Sequence, residues 1–121
     1  MESKQNCPEL PCLEYQQLLE RCVGNLDIAD RLLAKFDDQL SEELPQLRQL
    51  LRIENVDELA RRAHSLKGAA ATVGAPALRA AAADVETLAR ESRLDLIAGC
   101  LANLEMERSR FAEAVAELDT A

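Results

Sequence analysis

The sequence predicts an all-α protein: an antiparallel four-helix bundle with a short additional N-terminal helix. Three observations lead there. Ala and Leu supply 20 and 21 of the 121 residues, whereas Val, Ile and Thr together supply 11 and the aromatic residues 3; helix formers abound and strand formers are scarce. Apolar residues recur at spacings of three and four, the period of a helix with one buried face. Only a few residues separate these stretches, and connections that short make sequential helices antiparallel neighbours. With 48% hydrophobic residues, a chain of this length builds one core rather than two.

Residues 1–12 are polar, contain Pro8 and Pro11 and lack a helical period, so a flexible N-terminal arm is expected there and the bundle domain over 13–121. Leu13, Leu18, Leu19, Cys22 and Val23 predict a short first helix that stops near Gly24-Asn25. Ile28, Leu32, Phe36, Leu40, Leu44, Leu47 and Leu51 form a stripe along a helix of residues 26–52. Pro45 lies inside it and predicts a bend rather than a break, because the stripe continues past it. Asn55, with Glu58 three residues on, resembles a capping box opening a third helix to Val73. Gly74 closes that helix and Pro76 begins the fourth, which runs to Arg90. Ser92 and Asp95 again suggest a capping box, followed by a seam of Leu94, Ile97, Leu101, Leu104, Arg108, Phe111, Val115 and Leu118. Arg108 alone interrupts that seam.

Charge and rare residues narrow the chemistry. Asp and Glu outnumber Lys and Arg by 22 to 14, a formal net charge of −8, which repels nucleic acid and anionic lipid. No apolar run is long enough to span a membrane, and no signal-peptide pattern opens the chain. Cys7, Cys12, Cys22 and Cys100 match no zinc or disulfide spacing, so free thiols in a reducing, cytoplasmic setting are expected. His64 is the only histidine. A zinc site would need Cys or carboxylates for its other ligands and a catalytic triad would have one candidate base, so no metal site is expected, and no phosphate loop, glycine-rich nucleotide motif or magnesium cluster is evident.

On a helical wheel with Leu66 at 0°, Leu59, Ala63, Ala70 and Val73 centre the core face of the third helix near about 20°. His64 falls at about 160° and Gly68 at about 200°, with Ala71, Ala60, Lys67 and Arg61 between about 100° and 220°. His64 thus points away from the core. Gly68, one turn later on the same face, costs about 1 kcal/mol against alanine, although alanine is used freely beside it. Glycine there removes the last Cβ next to the imidazole and lets another molecule approach. Lys67, at i+3, can place an ammonium beside any anion the imidazole carries. A neutral imidazole is a nucleophile that needs no buried base, and phosphoryl transfer relies mainly on positioning and electrostatics. The donor's energy and metal must then come from a partner.

The run Ala63-His64-Ser65-Leu66-Lys67-Gly68, followed by Gly74, Leu78 and Glu86, resembles the histidine-containing phosphotransfer (HPt) family of multistep phosphorelays. Val85 stands where the family commonly has leucine. The resemblance implies that His64 takes a phosphoryl group, normally on Nε2, from a receiver-domain phospho-aspartate and hands it to another receiver. It further implies that Lys67 contacts the phosphoryl oxygens and that Gly68 makes room for the receiver. Gly74, Leu78 and Glu86 match as a helix end, a core contact and a surface or buried polar contact. The expected partners are response-regulator receiver domains and a hybrid sensor histidine kinase, with Arg61, Ala60 and Ala71 at the docking face. A monomeric phosphoryl carrier without cofactor is expected. The rival readings are a helical module that docks a receiver or kinase without carrying phosphate, and a dimerisation domain built on the 94–118 seam.

Overall fold

The structure, a computed structural model, describes residues 10–120. Helix α1 spans Tyr15–Arg21, α2 Leu26–Arg52, α3 Val56–Val73, α4 Pro76–Arg90 and α5 Leu94–Thr120. Contacts run α2 to α3, α3 to α4, α4 to α5 and α5 back to α2, which closes a four-helix bundle. The α2–α5 pair is antiparallel by its own ion pairs: Arg108 Nε lies 3.2 Å from Asp37, and Arg48 lies 2.7 Å from Glu105. The polar break in the α5 seam is thus answered by a carboxylate on α2. Of the apolar residues of that seam, Ile97, Leu101, Leu104 and Phe111 are fully buried, Leu94, Val115 and Leu118 are half-buried, and the ring of Phe111 meets Phe36 edge-on at 5.4 Å. The four fully buried residues are therefore taken up by the bundle itself, which counts against a dimer interface built on them. Among the described residues, no helix is long and apolar enough to cross a membrane.

Four helix ends share one device. An N–H returns to the carbonyl five residues back: Gly24 to Leu19, Asn55 to Leu50, Ala75 to Ala70 and Arg93 to Leu88. In each case the preceding residue has positive φ, namely Val23, Glu54, Gly74 and Ser92, the left-handed turn of a Schellman cap. Ser92 therefore ends α4 and does not cap α5, contrary to expectation. Val23 is 91% exposed because the same turn swings it off the core stripe. Asn25, expected as part of the stop, instead opens α2, its Oδ1 accepting from the Ile28 N–H at 3.1 Å. Asn55 caps α3 as expected, accepting from the Glu58 N–H at 3.2 Å.

Helix α2 remains a single element through Pro45. Proline gives Ser41 no N–H to accept from, but both residues face solvent, where water can take the free carbonyl. The core stripe of α2 starts at Ala29 and Leu33; Ile28 is exposed and Leu32 half-buried. Steps of four residues drift about 40° per turn from a fixed face, so three of them in succession carry Ile28 off the stripe.

The arm expected over residues 1–12 lies mostly outside the described residues, as does Cys7. Residues 10–12 rest on the bundle, with the Ala77 N–H donating to Pro11 O at 3.1 Å. Cys12, Cys22 and Cys100 are free thiols. Helix α1, shorter than expected, is tied to the α3–α4 corner. The Glu14 N–H donates to Gly74 O at 2.7 Å, and the Arg21 guanidinium donates to the Ala71 and Thr72 carbonyls at 2.8 and 2.7 Å. These carbonyls end α3, where a cation also meets the negative pole of the helix.

Candidate functional site

Helix α3 is anchored by Leu59, Ala63, Leu66, Ala70 and Val73, all buried, and so presents His64 outward with a side chain 63% exposed. The neighbouring helices then decide what the flanks of that face do. Arg62 meets α2, pairing with Glu43 at 3.2 Å, and is held from within α3 by Glu58 at 3.2 Å. The other flank, at about 100–120° on the wheel, packs on α4, the most extensive helix pair in the bundle. Ala60 lies on that flank and is only 4% exposed, so it is a packing residue under α4 and leaves the expected docking face. Lys67, on the same flank, is partly covered and meets a group supplied by α4.

That group is Glu86. Its carboxylate is almost fully buried and takes a contact from every cation around it. Lys67 Nζ lies 2.8 Å from Oε1. Arg90 donates to Oε2 through Nη2 at 2.8 Å and Nε at 3.1 Å, and His64 Nδ1 is 3.0 Å from the same oxygen. The hydrogen bonds from Lys67 first, and from Arg90 second, pull the carboxyl down to about 2, against the opposing effect of burial. It is therefore a carboxylate at neutral pH, and a carboxylate only accepts. Nδ1 must carry the hydrogen. In the neutral ring, Nε2 then holds the lone pair.

Gly68 lies one turn on and is exposed; a Cβ built there meets nothing within 4 Å. No internal neighbour requires glycine at this position, so its cost in the helix has no explanation inside the chain. Gly74 is the opposite case. It combines φ +78 with a Cβ position 3.1 Å from Glu14 O, and serves the α1 junction. Arg61 is 74% exposed and pairs with Glu58 at 3.2 Å. Ala71 is half-buried, with Arg21 lying over its carbonyl. The structure thus brings His64 and Lys67 together through Glu86 and keeps Gly68 open beside them. Arg61 sits at one end of this face and Ala71 at the other.

Two residues of the site were not legible as such. Glu86 matched the family pattern only as a polar contact, and Arg90 was unmarked. A signal exists: Leu78, Ala82 and Glu86 repeat at a spacing of four, which puts a carboxylate on the buried stripe of α4, where it must find partners. Arg90 at i+4 is the nearest candidate.

A search of curated proteins returns no match. The chain is similar in fold to the crystal structure of histidine-containing phosphotransfer protein B (HptB) from Pseudomonas aeruginosa PAO1. The TM-score is 0.81 and the identity 24%, over 88% of this chain and 93% of that one. The family model for the Hpt domain matches residues 31–121, which include α3 with His64, α4 with Glu86, and all of α5. By that match the chain belongs to the Hpt domain family.

Proposed function

We propose that His64 is the phosphoryl-carrying residue of a phosphorelay intermediate that takes its phosphate from one receiver-domain phospho-aspartate and delivers it to another. The observation that carries this reading is the hydrogen bond from Nδ1 to Glu86, which leaves the lone pair on Nε2 of an exposed side chain. In the forward step, Nε2 attacks phosphorus in line. The N–P bond forms as the bond to the aspartate oxygen breaks, and the aspartate leaves as carboxylate. The ring keeps its Nδ1 hydrogen and gains positive charge, which the Glu86 carboxylate stabilises. Delivery reverses these events, with the acceptor's aspartate as nucleophile.

Lys67 spends one ammonium hydrogen on Glu86, and two donors remain for phosphoryl oxygens. It need not leave its anchor to serve the transferred group. Gly68 gives the receiver's loops a close approach, while Arg61 and Ala71 line the docking face. Receivers and a hybrid sensor histidine kinase are the proposed partners of a monomeric carrier. The test is transfer from purified, radiolabelled phospho-receivers of the same organism. The wild-type protein should acquire acid-labile, alkali-stable label. His64→Gln should acquire none while keeping its helicity, and persistent labelling of that variant would overturn the assignment.

A further inference from the structure

Two guanidinium groups near the His64 face, those of Arg21 and Arg79, form no ion pair among the described residues. Arg21 gives its Nη1 to the carbonyls of Ala71 and Thr72, which fixes its position but leaves its charge in place. Among the described residues Arg79 has no ion pair, and it lines with Arg21, Ala71 and Gly74 a hollow of about 200 Å³. Glu14 and Gln17 line it too, so one carboxylate faces two cations there and the hollow is net positive on a chain of net charge −8.

The place of the hollow follows from helix geometry. Ala71 lies seven residues beyond His64 on nearly the same face of α3, about 10 Å along the axis. Arg79 lies seven residues before Glu86 on α4, which runs antiparallel to α3, so it flanks the same end of the face. Gly68 stands between the hollow and His64, with no side chain to hold a partner away. A specific interface takes about 800 Å² from each partner, a patch about 30 Å across. A patch of that size centred on His64 extends about 15 Å to each side and so reaches this hollow. Covering Arg21 and Arg79 without an anion strips water from two charges and returns nothing.

We infer that Arg21 and Arg79 form a second anchor point that selects, among receivers, those placing an acidic side chain in this hollow. The inference rests on the phosphotransfer reading of His64 and adds the determinant of partner choice. Charge of this kind acts mainly on the rate of encounter and on rejection of wrong partners. It belongs in kcat/KM, not in the transfer step itself.

The test uses the full chain and whichever receiver of the same organism accepts phosphate fastest from His64. Arg79→Glu should lower kcat/KM for that receiver at least tenfold at low salt, with the single-turnover rate at saturating receiver unchanged. The deficit should shrink at high salt, and Arg79→Lys should recover most of the rate. One acidic residue of the receiver, changed to lysine, should restore transfer with Arg79→Glu and impair it with the wild type. Arg79 is a surface side chain, and an unchanged circular dichroism spectrum excludes misfolding. If Arg79→Glu stays within twofold of wild type at low salt, the anchor is refuted while the role of His64 stands. If the wild-type chain itself takes phosphate from no receiver, both fall together.

Discussion

Glu86 gives the sharpest quantitative expectation, because the structure assigns one carboxylate to hold His64, Lys67 and Arg90 at once. Glu86→Gln keeps the shape and removes the charge. A carboxyl held at about 2 against an ordinary 4.5 corresponds to about 3 kcal/mol favouring the ionised form in the folded chain, at about 1.4 kcal/mol per tenfold. Arg90 is 60% exposed and solvent screens its share, which brings the net contribution to about 1–2 kcal/mol. The folded value lies below the unfolded one. The stabilisation is therefore complete above the unfolded value, and is lost as pH falls from about 4.5 through about 2. Urea unfolding followed by circular dichroism should show wild type ahead of Glu86→Gln by that margin at pH 7. The gap should close progressively between pH 5 and pH 2. A gap of the same size at pH 7 and pH 2.5 would refute the claim that it arises from a carboxylate bound to three cationic or donor groups.

Four further outcomes follow from the same geometry. Gly68→Ala should raise stability by about 0.5–1 kcal/mol, since helix propensity improves and no neighbour is crowded, whereas Gly68→Gln should retain stability and cut transfer from a phospho-receiver more than tenfold. Lys67→Ala should slow transfer in single-turnover assays, with Lys67→Arg falling between it and wild type. Arg61→Glu should weaken receiver binding several-fold in titrations with the non-transferring His64→Gln background; an unchanged affinity removes Arg61 from the docking face. Gly74→Ala should lower the urea midpoint by the equivalent of about 2 kcal/mol, because a side chain at φ +78 is strained and its Cβ presses on Glu14 O.

The parts of the fold legible in the sequence are those whose signal is local. Asn55, Gly74 and Pro76 each mark a boundary by their own backbone chemistry, and α3 begins and ends, and α4 begins, where those residues place them. At Val23, Glu54 and Ser92 the helices end within a few residues of where the apolar period stops, but which residue takes the left-handed turn is not marked by its own chemistry. Ser92 was misleading for that reason. It has the chemistry of a helix start and is used at a helix end.

The site divides in the same way. His64 and Gly68 declare themselves by standing on the outward side of an otherwise clear stripe, and that reading needs only α3. Ala60 and Lys67 occupy a flank whose fate depends on α4. A wheel for one helix does not say which flank a neighbour covers, so Ala60 was placed outside when packing puts it inside. Glu86 is the residue that joins the two helices. It was readable as a buried carboxylate in need of partners, but its three partners come from two elements. Their convergence on one oxygen pair is a tertiary fact.

The most direct measurement is nitrogen-15 and phosphorus-31 NMR of His64 before and after phosphorylation by a receiver. The unphosphorylated neutral ring should show hydrogen on Nδ1 and none on Nε2, and the phosphorylated ring should show phosphorus coupled to Nε2 with the Nδ1 hydrogen retained. Phosphorus on Nδ1, or on any residue other than His64, would contradict the account.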